Sequence, residues 1–137
     1  MADTTQSPVL PKEIEEHVES YLTAFNAGDA DAVNRHYTPE AVAVWEPGNP
    51  ISGAARENFA KEFLATQKPV MRAAVRESYV TGDTALLVVD WTMEVTGEGG
   101  AKEELQGVGL DVLRRQDDGS WLYAVDDPFG EQVRPAA

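Results

Sequence analysis

The hydrophobic period of this chain changes once, at Pro69, and does not change back. Before Pro69 apolar residues recur at helical spacing. After it they alternate with polar ones, the spacing of half-buried strands. A chain divided in this way folds as helices followed by hairpin-linked strands, an α+β order. Ile14, Val18, Tyr21, Leu22 and Phe25 predict an amphipathic helix over about 11–27. Pro11 suits its first turn, Glu13, Glu15 and Glu16 complement its positive dipole end, and Gly28 is a natural stop. Asp29 caps a second, shorter helix ending near Tyr37. Ala41–Trp45 reads as a short strand and Pro47–Pro50 as a turn. Ser52-Gly53 leads into a third helix carrying Ala55, Phe59, Phe63 and Leu64.

In the strand region Met71, Ala73, Val75 and Tyr79 are expected on one face, opposite Arg72, Arg76 and Ser78. Ala85, Leu87, Val89, Trp91, Met93 and Val95 share a face of the next strand. Turns at Thr81–Asp83, Gly97–Gly100 and Asp117–Gly119 separate it from two more strands, the last being Ser120–Asp127. Residues 1–9 and 132–137 read as loose tails around a single domain over 10–131.

One residue breaks the apolar pattern of these strands. Asp111 sits in Gly107-Val-Gly-Leu-Asp-Val-Leu113, where a carboxylate loses most of its water and its charged form is disfavoured. Val108, Leu110 and Val112 alternate with it, so Asp111 is expected to face the helices while those three face outward. An outward apolar face that the chain does not cover predicts a homodimer through the outer sheet face.

Charge excludes some partners. With 11 Lys+Arg against 24 Asp+Glu the net charge is −13, which argues against nucleic acid and anionic membrane. There is no cysteine, so disulfides, thiolate metal sites and a cysteine nucleophile are out. No segment reads as a signal peptide or membrane span, so a cytoplasmic location is expected. Dinucleotide, phosphate-loop and serine-elbow motifs are missing, and His17 and His36 have no ligand-like spacing, so neither a metal nor a cofactor is expected. What remains is a set of polar groups expected to point into a space between sheet and helices: Tyr21, His17, Glu46 and Asp111. Trp45 stands beside Glu46, Phe59 and Phe63 lie on the third helix, and Trp91 and Met93 supply apolar walls. Such a pocket suits a hydrophobic small molecule. Asp111 itself reads equally as a structural acid or a functional one.

The helix Val18-Glu-Ser-Tyr-Leu-Thr-Ala-Phe-Asn-Ala-Gly-Asp29 resembles the first helix of nuclear transport factor 2-like proteins, ketosteroid isomerase especially. So do Tyr37–Gly53, Leu110-Asp111, the Asp118-Gly119 turn and Phe129-Gly-Glu131. The run from Leu113 to Trp121 and Asp127-Pro-Phe-Gly130 is similar to small stand-alone SnoaL-like members. The resemblance implies a cone-shaped α+β fold, three N-terminal helices packed on a strongly curved, mainly antiparallel sheet. It also implies site roles. Tyr21 matches an oxyanion-hole tyrosine, Asp111 a protonated acid that donates to an enolate, and Glu46-Pro47 the base. The expected chemistry is isomerase- or cyclase-like proton transfer next to a carbonyl. A non-catalytic ligand-binding or dimerisation module, with Asp111 tied to Tyr21 or His17, is the alternative. Adjacent strand residues face opposite ways, so either Trp45 or Glu46 enters the pocket, not both. With Trp45 inward, Asp111 would act alone as acid and base, as the resemblance to SnoaL-like cyclases implies.

Overall fold

A computed structural model describes residues 10–131; the two expected tails, 1–9 and 132–137, lie outside the described residues. Three helices, α1 (Lys12–Asn26), α2 (Ala30–Asn34) and α3 (Gly53–Gln67), accompany six strands. The strands are β1 (Tyr37–Glu46), β2 (Asn49–Ser52), β3 (Val70–Thr81), β4 (Thr84–Thr96), β5 (Lys102–Arg115) and β6 (Trp121–Asp127). They form one curved, unclosed sheet in the order β2-β1-β6-β5-β4-β3. Every neighbouring pair is antiparallel except β1 and β6, which run parallel.

The three helices do not all lie N-terminal to the sheet, as the resemblance implied; the order helix, helix, strand, helix read from the sequence is the one found. β1 and β2 come before α3. The expected turn at 47–50 is a tight hairpin whose second arm, β2, pairs back on β1 through Ala43 and Ile51. The second helix also stops earlier than its pattern implied. Tyr37 belongs to β1, because the His36 carbonyl accepts from the Tyr123 amide at 2.8 Å and pulls the chain into the sheet. Pro39 has no N–H for a ladder, and the β1–β6 register slips between Tyr37 and Val42, where it sits.

α1 follows its sequence closely. The Pro11 carbonyl accepts from the Ile14 and Glu15 amides, and Gly28, at φ +73°, ends the helix in a left-handed turn. Asp29 caps α2 by accepting from the Ala32 amide at 3.1 Å. The buried face of α1 (Ile14, His17, Tyr21, Ala24, Phe25) lies over the sheet, whose inward residues Ala85, Leu87 and Leu113 are fully buried.

Strict alternation fails twice. In β3, Val75 pairs with Val89 but Glu77 with Val88, so Arg76 is an extra residue and the faces swap beyond it. Ser78 is therefore buried and Tyr79 is 54% exposed, the reverse of the expected pattern. In β6, Val125 pairs with Val112 but Tyr123 with Leu113, which leaves Ala124 as the extra residue. Tyr123 and Asp126, three apart, then share the inner face. Beyond β6 the chain crosses β5 closely, and a side chain on Gly109 would come within 3.1 Å of the Pro128 Cα. Trp91 donates to the Pro128 carbonyl at 2.7 Å, which fixes that crossing.

Candidate functional site

Between α1, α3 and the inner sheet face lies a cavity of about 180 Å³. Trp45, Phe59, Phe63, Trp91 and Met93 line it. Phe59 stacks on Phe63 at 6.1 Å and lies 5.3 Å from Trp45, so three aromatic rings form one continuous wall. The polar end is made by Tyr21 of α1, Asp111 of β5, and Tyr123 and Asp126 of β6.

Of Trp45 and Glu46, it is Trp45 that turns inward, donating its indole N–H to Asp126 Oδ2 at 2.9 Å. Glu46 is exposed, accepts from the Asn49 side chain at 3.0 Å, and does not line the cavity. The physical reason is the strand pleat together with an irregularity between Ala43 and Glu46 that serves the β2 hairpin. Glu46 therefore does not stand where the resemblance put the base. His17 is a second correction. It is buried but absent from the cavity lining, packed edge-on to Tyr123 at 4.5 Å and at 5.2 Å from His36. Its Nε2 has no hydrogen-bond partner, and burial, with the neighbouring His36 ring second, lowers its pKa from 6.5 to about 3.

Asp126, which the sequence pattern did not single out, is the hub. Tyr37 donates to its Oδ2 at 2.6 Å, beside the bond from Trp45. Asp111 lies directly across the β5–β6 ladder, and its partner is Asp126 rather than Tyr21 or His17. Burial pushes the Asp111 carboxyl well above the usual carboxylate range, and the charge of Asp126 and a hydrogen bond to it push further the same way. Asp111 borders the cavity and keeps some accessible surface there, but protein surrounds it elsewhere, which is why desolvation dominates. Asp111 therefore favours its protonated form, and a proton on it has the Asp126 carboxyl opposite as acceptor.

The tyrosines extend this chain. Tyr21 and Tyr37 hydroxyls are 2.9 Å apart. Tyr37 has one proton and gives it to Asp126, so the proton in the Tyr21–Tyr37 bond comes from Tyr21. Tyr21 then has no proton left for a ligand, which corrects its expected role as oxyanion-hole donor. Burial first, and the Asp126 charge second, hold both hydroxyls well above the ordinary phenol range, so both stay protonated. Arg56 of α3, 1% exposed, lies with its guanidinium carbon 4.6 Å from the centre of the Tyr37 ring. Its Nε has no partner, and it makes no ion pair among the described residues; its charge favours the anionic network beside it. Among the described residues no three His, Asp or Glu side chains are grouped as metal ligands would be. No helix among them is long and apolar enough to cross a membrane.

Solved structures of the same architecture are numerous. A conserved protein from Planctomyces limnophilus superposes with a TM-score of 0.76 at 22% identity, covering 83% of this chain and 90% of its own. A nuclear transport factor 2-like superfamily protein from Salmonella enterica gives 0.74 at 18%, covering 92% and 96%. A ketosteroid isomerase-like protein from Erwinia carotovora gives 0.71 at 25%, covering 85% and 95%. No curated protein sequence matches the chain. The fold is that of the nuclear transport factor 2-like superfamily. Within it, residues 18–124 match the SnoaL-like domain, and the chain belongs to that family.

Proposed function

We propose that the protein binds a hydrophobic small molecule in this cavity and transfers a proton next to a carbonyl on it, with the Asp111–Asp126 pair in place of Glu46. The observation that carries this reading is a pair of carboxyls, Asp111 and Asp126, facing each other across the β5–β6 ladder at the polar end of an aromatic-walled cavity, where burial raises the Asp111 pKa well above the usual carboxylate range. A pair holding one proton can take another. The C–H bond breaks, its proton goes to the cavity-facing oxygen of Asp111, and the shared proton passes to Asp126. The electron pair moves to the carbonyl oxygen, and return of a proton at a different carbon completes an isomerisation.

The test is a screen of cyclic enones and polyketide-like ketones by the wild type, Asp111→Asn and Glu46→Gln. Asp111→Asn is expected to lower kcat by about 10²-fold or more, whereas Glu46→Gln leaves it unchanged. Equal rates for Asp111→Asn and wild type would leave the second reading, a non-catalytic ligand-binding module. The exposed position of Glu46 favours that second reading.

The outer sheet face supports pairing of two copies. Tyr79 and Leu86 are exposed there, opposite each other in the β3–β4 ladder, and Val108, Leu110 and Val112 are only half-buried. Sedimentation is expected to give a dimer whose dissociation Leu86→Glu promotes; a wild-type monomer at micromolar concentration would overturn this.

A further inference from the structure

The polar end of the cavity has a fixed proton inventory. Tyr37 and the Trp45 indole both give their protons to Asp126 Oδ2, and Tyr21 gives its proton to Tyr37. Asp111 stands opposite the same carboxyl in the ladder, which is the acceptor for any proton it carries. Three donors at this end are thus committed to protein acceptors, and a proton on Asp111 has the same destination. Tyr123 is different. It borders the cavity, and its hydroxyl bonds to no protein group among the described residues. Its ring is held by Tyr21 at 5.1 Å, Tyr37 at 5.2 Å and His17 at 4.5 Å, so the hydroxyl is presented from a rigid support. The unused acceptors are the Tyr21 oxygen, which accepts no hydrogen bond among the described residues, and the second oxygen of Asp111.

From this inventory we infer that the site selects a hydroxyl: its ligand is a hydrophobic enol or phenol, which accepts from Tyr123 and donates to Asp111 or Tyr21. A ketone would take the Tyr123 proton but leave the two acceptor oxygens facing apolar carbon without a partner. An enolate would set its negative charge against those same lone pairs. The enol satisfies both sides, and it forms when the Asp111–Asp126 pair, holding two protons after the C–H step, returns one to the enolate oxygen. The inference therefore rests on the reading proposed above and names the species that the site holds best. Tyr123 is the residue that meets the ligand oxygen, the role the resemblance gave to Tyr21.

Cavities of about 150 Å³ hold a benzene ring, so one or two fused rings fit the space here. The experiment is calorimetric titration at pH 7 with naphthalene, 2-naphthol, 2-methoxynaphthalene and 2-tetralone, on wild type and Tyr123→Phe. In wild type, 2-naphthol is expected to bind about tenfold more tightly than 2-methoxynaphthalene or 2-tetralone, the worth of one buried hydrogen bond. Tyr123→Phe is expected to remove most of the advantage of 2-naphthol over naphthalene. If 2-tetralone or 2-methoxynaphthalene binds as tightly as 2-naphthol, the inference is wrong while the hydrophobic pocket stands. It is equally wrong if Tyr123→Phe keeps the full advantage. If none of the four binds, naphthalene included, the pocket reading fails and this inference with it. The wild-type ranking does not depend on any variant folding.

Discussion

Replacing Asp126 by alanine is expected to cost about 3–5 kcal/mol of folding stability, measured as a fall in the urea midpoint at unchanged slope. Asp126 is 9% exposed, and its carboxylate accepts from Tyr37 and Trp45 and faces Asp111, whose protonated form burial favours. Each buried donor left without a partner costs about 1–3 kcal/mol. Trp45 is only half-buried and recovers part of its loss through water in the cavity, which keeps the sum below three full penalties. Losing the buried negative charge removes a desolvation cost and works in the opposite direction, but the charge is bonded by several donors and sits near Arg56. Asp126→Asn keeps one acceptor oxygen and is expected to lose about half as much. A loss below about 1 kcal/mol for Asp126→Ala would mean that the network does not hold the site together. Glu46→Ala is the matched control, with no measurable change.

Asp126 was not legible in the sequence, and the reason is local. With strict alternation Tyr123 and Asp126 fall on opposite faces of β6, and Asp126 reads as a polar residue near a turn. The bulge at Ala124 reverses this, and nothing in Leu122-Tyr-Ala-Val-Asp126 marks a bulge. Arg76 hid the fate of Tyr79 in the same way. Tyr37 was obscured by a different effect, a parallel pairing with a strand more than eighty residues later, which local helical spacing does not encode. What did read through was periodic and long: α1 with its glycine stop, β4 and the two-faced β5. Asp111 was visible because its own strand is regular, with Leu87 and Asp126 as its ladder partners. The aromatic wall was visible because Phe59 and Phe63 stand one helical turn apart. The fold was therefore open to sequence reasoning where periodicity persists. The site was open only on the side contributed by regular elements.

Two buried groups, His17 and Asp111, give the stability opposite pH dependences. The folded pKa of His17 is about 3 against 6.5, so the neutral ring is the folded form and acid favours the unfolded chain. Its contribution is complete above about pH 6.5 and is lost as pH falls from there toward 3, amounting to roughly 5 kcal/mol over the full window. Asp111 acts in reverse, because its folded pKa is raised: its protonation favours the folded state below the ordinary carboxylate value, and that support is lost as pH rises through the folded value. Between about pH 4 and 6.5 the two terms partly cancel, so the wild-type midpoint should change little across this range. Single substitutions separate them. Asp111→Asn is expected to expose the His17 term, with stability falling steeply on acidification. His17→Phe fills the contact with Tyr123 and removes the unpartnered Nε2. It is expected to expose the Asp111 term, with stability rising as pH falls toward 4. Contributions common to all three proteins drop out of the comparison. Parallel pH profiles for wild type and His17→Phe would show that His17 is not held neutral in the fold, and the solvent-free packing around Tyr123 would have to be abandoned with it.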